Sequence, residues 1–460
     1  MHQIPQSQYS NPAYVPHSKF YIGSPVWSSF YFGFSQNALT AENIISYHVD
    51  DSLYVDVDKF IGSLHKQNYI FTQIDEEILS FGFKFNKGKN YFSFNLTEHA
   101  YFRFGFPKDF MTFIAYGNGA NLGKAMNIGG FSINAVHYRE MGVGISHKYN
   151  EEWTFGARYK LLFGMSNLWT KNTHLTITTA EEDFFITAEA NLSMNACLPT
   201  DAWLAMEGDK NAEMNIGKYI LNFNNMGMGA DLGATYKLNK KFTFGASIID
   251  LGYIKFKDDA RNFNSINKNA SFTFEGIDVN DYLGQPDSIR KERMNNYLDS
   301  IVDIFQIDTT ENSYYYPLNT KLNLTAFYQL TPKDKVSSLA KIELWNGKIH
   351  PSFLLAYNRN FGNILSLTAS YCASNHDYFN IGFGFNVNLG PLQIYVITDN
   401  VIDPIIHNKY SWMENGERRS ITAPRQMNYF NIHFGINFIF EYKEKVNLPS
   451  NFEECPDFTD

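Results

Sequence analysis

The sequence is poor in features that soluble proteins and helical membrane proteins of this size normally have. Only 18% of its 460 residues are charged, which is less than a water-exposed surface usually carries. The mean hydropathy is −0.30, and no segment approaches the ~20 consecutive apolar residues that a membrane-spanning helix needs. These absences argue against both an ordinary multidomain soluble protein and a helical membrane protein.

Cysteine is also scarce, with Cys197, Cys372 and Cys455 far apart in the chain. An odd number at wide spacing gives neither a CxxC metal motif nor a disulfide framework. A Cys197–Cys372 disulfide in an oxidising compartment stays a minor alternative.

Signatures of nucleic-acid binding and of catalysis are missing as well. The net charge is −9 and the pI about 5.8, without the Lys/Arg stripe that neutralises phosphates, so we expect no nucleic-acid partner. The sequence has no HExxH or GxSxG motif, and its twelve histidines do not cluster at ligand spacing. Gly117–Lys124 resembles a phosphate loop, but Ala125 stands where Ser or Thr should bind magnesium. We therefore predict no catalytic residue, cofactor or metal site, and expect that the protein is not an enzyme.

The abundant feature is aromatic residues in strict alternation with small polar ones. Aromatics make up 17% of the chain, with 41 Phe and 29 Tyr. Apolar side chains occupy every second position in 79–85, 153–163, 379–389 and 430–440, and the opposite face is mainly Asn, Gly, Ser and Thr. A soluble sandwich would present Lys, Glu and Thr on its outer face. The pattern predicts an all-β fold, a single transmembrane antiparallel β-barrel with a polar lumen, in contact with outer-membrane lipid.

The connections alternate between short turns and long loops, as in bacterial outer-membrane barrels. Turns at 86–90, 149–152, 238–241, 331–335, 358–362 and 389–391 fall on one side, which we assign to the periplasm, and long loops fall on the other. The intervening segments predict fourteen strands: 27–36, 77–86, 90–106, 130–149, 153–170, 227–238, 241–256, 320–330, 337–345, 350–358, 362–372, 377–389, 391–399 and 428–441.

The remaining segments give the domain organisation. We expect an N-terminal segment 1–26 that either plugs the lumen or hangs in the periplasm, the barrel at 27–441, and a periplasmic tail at 442–460. The loops are predicted to carry an extra hairpin at 172–193 and short helices at 287–305 and Phe106–Tyr116. The first residues lack the pattern of a signal peptide, so we expect that the numbering starts near the N-terminus of the mature protein. We expect the protein to be located in the bacterial outer membrane.

Charged residues on the predicted lumen face are the best candidates for functional sites. Arg158 and Lys160 lie on one strand and Asp231 and Lys237 on the next, while His433 is a lone polar residue on the last strand. Mixed charges there either tune a pore or pair to brace the barrel, and we favour bracing.

Four segments resemble a known family: NPAYVP near the N-terminus, WTFGARYKLLFG (153–164), FTFGASIIDLGYIKF (242–256) and GFGFNVNLGPLQIYVITDN (382–400). They look like a Bacteroidota outer-membrane β-barrel family of unknown function that is distantly similar to FadL- and PorV-type barrels. The resemblance implies a fourteen-stranded barrel and an N-terminal segment that enters the lumen. FadL-type barrels pass hydrophobic molecules and PorV-type barrels serve protein secretion, but no residue of either activity can be matched here.

Two hypotheses about function stay open. In the first, a FadL-like transport barrel admits a small or hydrophobic solute, with strand glycines such as Gly245 or Gly382 as hints of a lateral opening. In the second, a PorV-like barrel transports nothing and docks a secreted or surface protein through its outer loops at 164–226 and 257–319.

Overall fold

The computed structural model describes residues 4–47, 53–117, 121–182, 185–206, 215–266, 271–274, 307–345, 348–374, 377–401, 405–414, 417–424 and 428–440. A 3₁₀ helix covers Pro5–Tyr9, and the α-helices are α1 Ala41–Ile44, α2 Val57–Ser63, α3 Lys108–Tyr116, α4 Thr200–Met206 and α5 Ile216–Ile220. In this part of the chain no helix is long and apolar enough to cross a membrane.

The described residues form mostly β-strands, which are numbered in chain order. They are β1 Phe20–Gly23, β2 Ser29–Gln36, β3 Ile45–Tyr47, β4 Leu53–Val55, β5 Gln67–Phe85, β6 Asn90–Pro107, β7 Ala125–Asn127, β8 Ser132–Lys148, β9 Trp153–Thr179, β10 Ile186–Cys197, β11 Asn225–Lys237, β12 Phe242–Phe256, β13 Ala260–Ser265, β14 Ser271–Phe274, β15 Ile307–Thr310, β16 Tyr314–Pro317, β17 Lys321–Gln329, β18 Asp334–Trp345, β19 Lys348–Phe361, β20 Leu365–Ser374, β21 Asp377–Leu389, β22 Leu392–Thr398, β23 His407–Glu414, β24 Glu417–Pro424 and β25 Tyr429–Phe440.

The sheet closes into the predicted fourteen-stranded antiparallel barrel. The first wall strand consists of β1 and β2 together, and it is followed around the wall by β5, β6, β8, β9, β11, β12, β17, β18, β19, β20, β21, β22 and β25. The last strand, β25, pairs with β1 and β2 and so completes the closure. The wall begins at Phe20, seven residues before the predicted boundary at 27.

Alternation gives the wall an apolar outer face and an inner face that is largely polar, apart from a buried apolar cluster that includes Val136, Leu162 and Phe256. On β9, the side chains of Arg158 and Lys160 are buried inside the barrel, whereas Tyr159 between them is 50% exposed on the outside. On β11, Asp231 is completely buried and its neighbour Leu232 is exposed. An apolar outer surface around a polar interior is the architecture of outer-membrane barrels.

The loop predictions are confirmed where the structure describes them. A hairpin forms between β9, which ends at Thr179, and β10, which begins at Ile186. The predicted helix near Phe106–Tyr116 is α3, which starts after Pro107. The predicted helix at 287–305 and the tail at 442–460 lie outside the described residues.

The first wall strand is interrupted between Gly23 and Ser29. Val26 in this gap has a φ of 68°, a conformation that is strained for a β-branched residue. The facing strand β5 has its own irregularity between Glu77 and Leu79. The glycines considered as hints of an opening lie elsewhere, because Gly245 and Gly382 are both paired within continuous strands.

Both described cysteines are buried and neither is in a disulfide, so the Cys197–Cys372 bridge does not form. Cys197 is the last residue of β10 and lies beside Asn225 at the start of β11, and burial raises the pKa of its thiol to about 12. Because the thiolate is the reactive form, we expect folded Cys455→Ser protein to resist a maleimide at pH 8, and the denatured protein to label at both remaining thiols. Mass spectrometry measures the labelling, and rapid modification of the folded protein would contradict this placement of Cys197.

Candidate functional site

Six charged side chains meet on one side of the barrel interior. They are named here the lumen cluster and consist of Glu140, Arg158, Lys160, Asp231, Asp250 and Lys321. Three are acidic and three are basic, so their charges balance. The side chains of Glu140, Arg158, Lys160 and Asp231 are at most 5% exposed.

Arg158 and Lys160 bind the same two carboxylates through different oxygen atoms. The Arg158 guanidinium lies 2.9 Å from Asp231 and 2.9 Å from Glu140. The Lys160 ammonium lies 2.9 Å from Asp231 and 3.2 Å from Glu140. Shared partners fix both cations, because moving either would break two ion pairs inside a poorly hydrated space.

Asp250 connects the cluster to the neighbouring wall strand. Its carboxylate lies 2.5 Å from the Lys160 ammonium and 2.8 Å from that of Lys321. Asp250 has a φ of 59°, at the point where the pairing of β11 and β12 shifts register. This bulge turns both Ile249 and Asp250 towards the interior, and the backbone N–H of Asp250 donates to Asp231 at 2.8 Å.

The structure brings together three of the five predicted lumen residues, Arg158, Lys160 and Asp231. Lys237 is exposed and outside the cluster, because it lies six residues from Asp231 at the end of β11 next to the turn at 238–241, a distance of about 20 Å along a strand. His433 is on the opposite side of the lumen, where it shares hydrogen bonds with Ser29 at 2.8 Å and Tyr395 at 3.2 Å.

Sequence reasoning missed Glu140, Asp250 and Lys321. Glu140 and Lys321 sit on the lumen-facing positions of β8 and β17, so parity alone could have identified them. Asp250 could not be found in this way, because its bulge reverses the parity of β12.

A second group of polar residues adjoins the cluster. The His99 imidazole lies 2.7 Å from the Asp75 carboxylate and 3.6 Å from that of Glu140. Its ring stacks on Tyr138 with a centroid separation of 4.8 Å. These contacts extend the charged wall from β9 across β8 and β6 to β5.

The N-terminal residues lie inside the barrel. Gln6 hydrogen-bonds to Asn437 at 2.9 Å and to Glu77 at 3.2 Å, while the Ser10 carbonyl accepts from Ser247 at 2.6 Å. These partners belong to β25, β5 and β12, three separate parts of the wall, and only the interior lies within reach of all three. The Tyr9 ring faces the Arg158 guanidinium at 4.6 Å, so this segment also contacts the lumen cluster.

Glycines on the inner wall make room for the turn at Asn11-Pro12-Ala13. A Cβ at Gly156 would collide with the Pro12 backbone, and one at Gly233 would collide with the Asn11 side chain. The turn is closed by the Asn11 carboxamide oxygen, which accepts from the Ala13 N–H at 2.9 Å. Gly245 lies beneath the same turn, with Asn11 and Tyr14 within 3.3 Å of its would-be Cβ.

A cavity of about 510 Å³ remains between the N-terminal segment and the wall. One side of it carries Asp75, His99 and most of the lumen cluster. The other side is mainly apolar or hydroxylic, with Thr325, Phe327, Ser337, Leu339 and Leu354, and it also carries Lys341. In the residues that the structure describes, no group of three or more His, Cys, Asp or Glu side chains is arranged to hold a metal ion.

Solved structures of two toluene transporters and of a FadL homologue are similar to this chain only at a coarse level. The toluene transporter TodX of Pseudomonas putida shares 11% identity at a TM-score of 0.41, with coverage of 95% of this chain and 94% of that chain. The toluene transporter TbuX of Ralstonia pickettii shares 8% identity at a TM-score of 0.44, with the same coverage. A FadL homologue of Pseudomonas aeruginosa shares 9% at a TM-score of 0.41, again with the same coverage.

No curated protein matches the sequence. One family model does, and it spans residues 12–399. The matched region starts within the Asn11-Pro12-Ala13 turn and ends just beyond β22, so it covers the N-terminal turn, the lumen cluster and thirteen of the fourteen wall strands. The chain therefore belongs to the family of unknown function DUF5723.

Proposed function

We propose that this barrel transports a small amphipathic solute, which is held in the lumen cavity and released sideways at the interrupted first strand. The observation that carries the proposal is the position of the cavity. Its lining includes Ser29, which ends the interruption in the first wall strand, and Glu77, which borders the irregularity in β5. The two residues lie opposite each other.

The two faces of the cavity favour an amphipathic solute. A polar head fits the wall of His99, Asp75 and the lumen cluster, where fixed charges already have partners and need no counter-ion from the solute. An apolar body fits the opposite wall of Phe327, Leu339 and Leu354. Pockets that combine an apolar surface with a few fixed polar groups are typical small-molecule sites.

The interruption supplies a route from the cavity towards the membrane. The Ser28 hydroxyl donates to the Glu77 carboxylate at 2.7 Å, and the backbone adds a few isolated bonds, such as that from the Val26 N–H to the Ile78 carbonyl at 3.0 Å. An irregular set of hydrogen bonds therefore replaces the ladder in this part of the first strand. Trp27 and Val26 on the outer side of the same segment are about half exposed. A few isolated hydrogen bonds separate at lower cost than an uninterrupted row of ladder bonds.

Uptake by proteoliposomes tests the proposal. Wild-type protein is expected to admit a small amphiphile, such as a medium-chain alcohol or alkylamine, while excluding a sugar of similar size. Ser337→Trp places an indole in the cavity and is expected to abolish this uptake. Val336→Trp, one residue away on the lipid-facing side of β18, is the matched control and should leave uptake unchanged. Equal uptake by Ser337→Trp and wild type would contradict the cavity as the route.

A second candidate function, the docking of a surface protein, is favoured by the sheet above the membrane. β9 continues to Thr179 and pairs there with β10 and β7, and β10 pairs in turn with β13 and β14. A photo-crosslinking residue at exposed His174 should give a discrete adduct in cells if this platform binds a protein. The same residue at Tyr149, in a periplasmic turn, serves as the control, and no adduct at His174 would contradict docking.

A further inference from the structure

The connection between β10 and β11 has to leave the barrel wall. β9 pairs with β11 only as far as Gly164, opposite Asn225, and from Asn167 onwards it pairs with β10. β10 also pairs with β13, with Cys197 opposite Ala260. It therefore fills the wall directly above the end of β11. The described residues between Cys197 and Asn225, which include α4 and α5, are displaced from the sheet as a result.

Helix α5 lies on the outer face of the wall. Arg158 and Lys160 on β9 point into the lumen. Phe163 is an odd number of residues away from both along the same strand, so the alternation of side chains turns it outwards. The Phe223 ring, just after α5, packs edge-on against Phe163 at a centroid distance of 5.1 Å. The connection thus folds down over the surface that faces lipid.

Tyr219 fastens α5 to that surface through two hydrogen bonds. Its hydroxyl lies 2.6 Å from the His137 Nδ1 atom and 3.1 Å from the Ser166 hydroxyl. His137 and Ser166 are register partners on β8 and β9, and both face outwards after the bulge at this level. An entirely apolar wall would offer the tyrosine hydroxyl no such partner.

The polar residues beneath α5 contact one another. The Glu98 carboxylate lies 2.5 Å from the Arg139 guanidinium and 3.3 Å from the His137 imidazole. Glu98 and Arg139 are register partners on β6 and β8, on the outward-facing positions. Charged side chains are unfavourable on a lipid-facing wall unless they form ion pairs and are shielded from the lipid. Tyr219 contributes to that shielding.

Between Ile216 and Phe223, the exposed side chains are apolar except for Lys218. Ile216, Ile220, Leu221 and Phe223 are each between 44% and 66% exposed. Directly below them, Met226 and Met228 on the outer face of β11 are also about half exposed. The apolar surface therefore continues without a break from the lipid-facing wall onto the connection.

The height of this surface matches the outer edge of the membrane. Phe163 is ten residues beyond the start of β9, which places it about 25 Å above the periplasmic turn for a strand rising about 3.3 Å per residue at a tilt of roughly 40°. The apolar band of such barrels is about 25 Å tall. The segment thus lies where acyl chains meet headgroups.

We propose that Ile216–Phe223 is an interfacial anchor that inserts its apolar face into the outer leaflet of the membrane. The partner is the acyl-chain region of the bilayer lipid, because the surface is continuous with the wall that already faces those chains. Short amphipathic segments bind at this depth when their apolar face is buried and their polar side is satisfied elsewhere, and Tyr219 supplies that polar contact to the wall.

Site-directed spin labelling tests the anchor. Leu221→Cys is introduced into Cys455→Ser protein, in which Cys197 and Cys372 are buried, and the labelled protein is reconstituted at low density in phosphatidylcholine vesicles. The nitroxide is expected to be accessible to oxygen and shielded from a water-soluble nickel chelate. The control label at Ile421, exposed on β24 far from this surface, should show the reverse.

Two results would overturn the anchor, and each points to a different environment for the segment. Equal nickel accessibility at positions 221 and 421 would overturn the proposal, since the segment would then lie in water. Shielding from both reagents would overturn it in favour of a protein contact, and its dependence on protein density would identify a second copy of the chain as that contact. Tyr219→Phe keeps the ring but loses both hydrogen bonds, and it is expected to increase label mobility without restoring nickel access.

Discussion

Replacement of Asp231 by alanine is expected to destabilise the folded barrel by about 3–5 kcal/mol, because it removes one partner from a buried set of charges. Asp231 is fully buried and lies 2.9 Å from both the Arg158 and the Lys160 cations. Without it, the lumen cluster carries three positive and two negative charges, and Arg158 and Lys160 each lose an ion pair. Urea unfolding of the refolded protein in detergent, followed by the heat-modifiable gel shift, measures the loss.

The effect should depend on burial of the charge and on charge balance. Lys237→Ala removes an exposed charge from the same face of the same strand, so it should change the unfolding free energy by no more than about 0.5 kcal/mol. Adding Arg158→Met to Asp231→Ala restores a balance of two positive and two negative charges, and it is expected to recover much of the loss. If Asp231→Ala were as mild as Lys237→Ala, water would have to reach and screen the cluster.

The wall of this barrel follows directly from alternation in the sequence. The predicted strand at 377–389 is β21, and the turns at 86–90 and 149–152 separate the strands that they were expected to separate. Alternation is a local property of the backbone, because successive side chains point to opposite faces. Wherever the strand is regular, parity alone therefore assigns the lumen residues Arg158, Lys160 and Asp231.

Alternation does not predict the structure at irregular positions of the strands. Residues 24–28 interrupt the first strand, so the four residues of β1 are too few to show a pattern. The bulge at Asp250 reverses parity by one residue and turns a carboxylate inwards that alternation would place outside. The displaced connection that carries α5 depends on β10 replacing β11 as the neighbour of β9, and this exchange is a property of the assembled sheet.

Occupation of the lumen by the N-terminal segment leads to the second large expected effect. We propose that residues 4–14 close the barrel to free diffusion, and we expect Gly156→Leu to open it. The inner wall at Gly156 has no room even for a Cβ, which would collide with the Pro12 backbone. A leucine side chain there must displace the turn at Asn11-Pro12-Ala13, together with the hydrogen bonds that Asn11 donates to the Ala234 and Ala246 carbonyls.

Liposome swelling in arabinose measures this opening. Wild-type protein is expected to give no swelling, whereas Gly156→Leu and a deletion of residues 1–14 should both admit the sugar. Gly62→Ala is the control for a glycine substitution, because no atom lies within 4 Å of a Cβ at Gly62. Swelling with the deletion but not with Gly156→Leu would mean that the segment can shift and still seal the lumen. If both variants stayed tight, closure would have to come from the side chains of the wall, and the charged cluster under Tyr9 would then be the barrier to test.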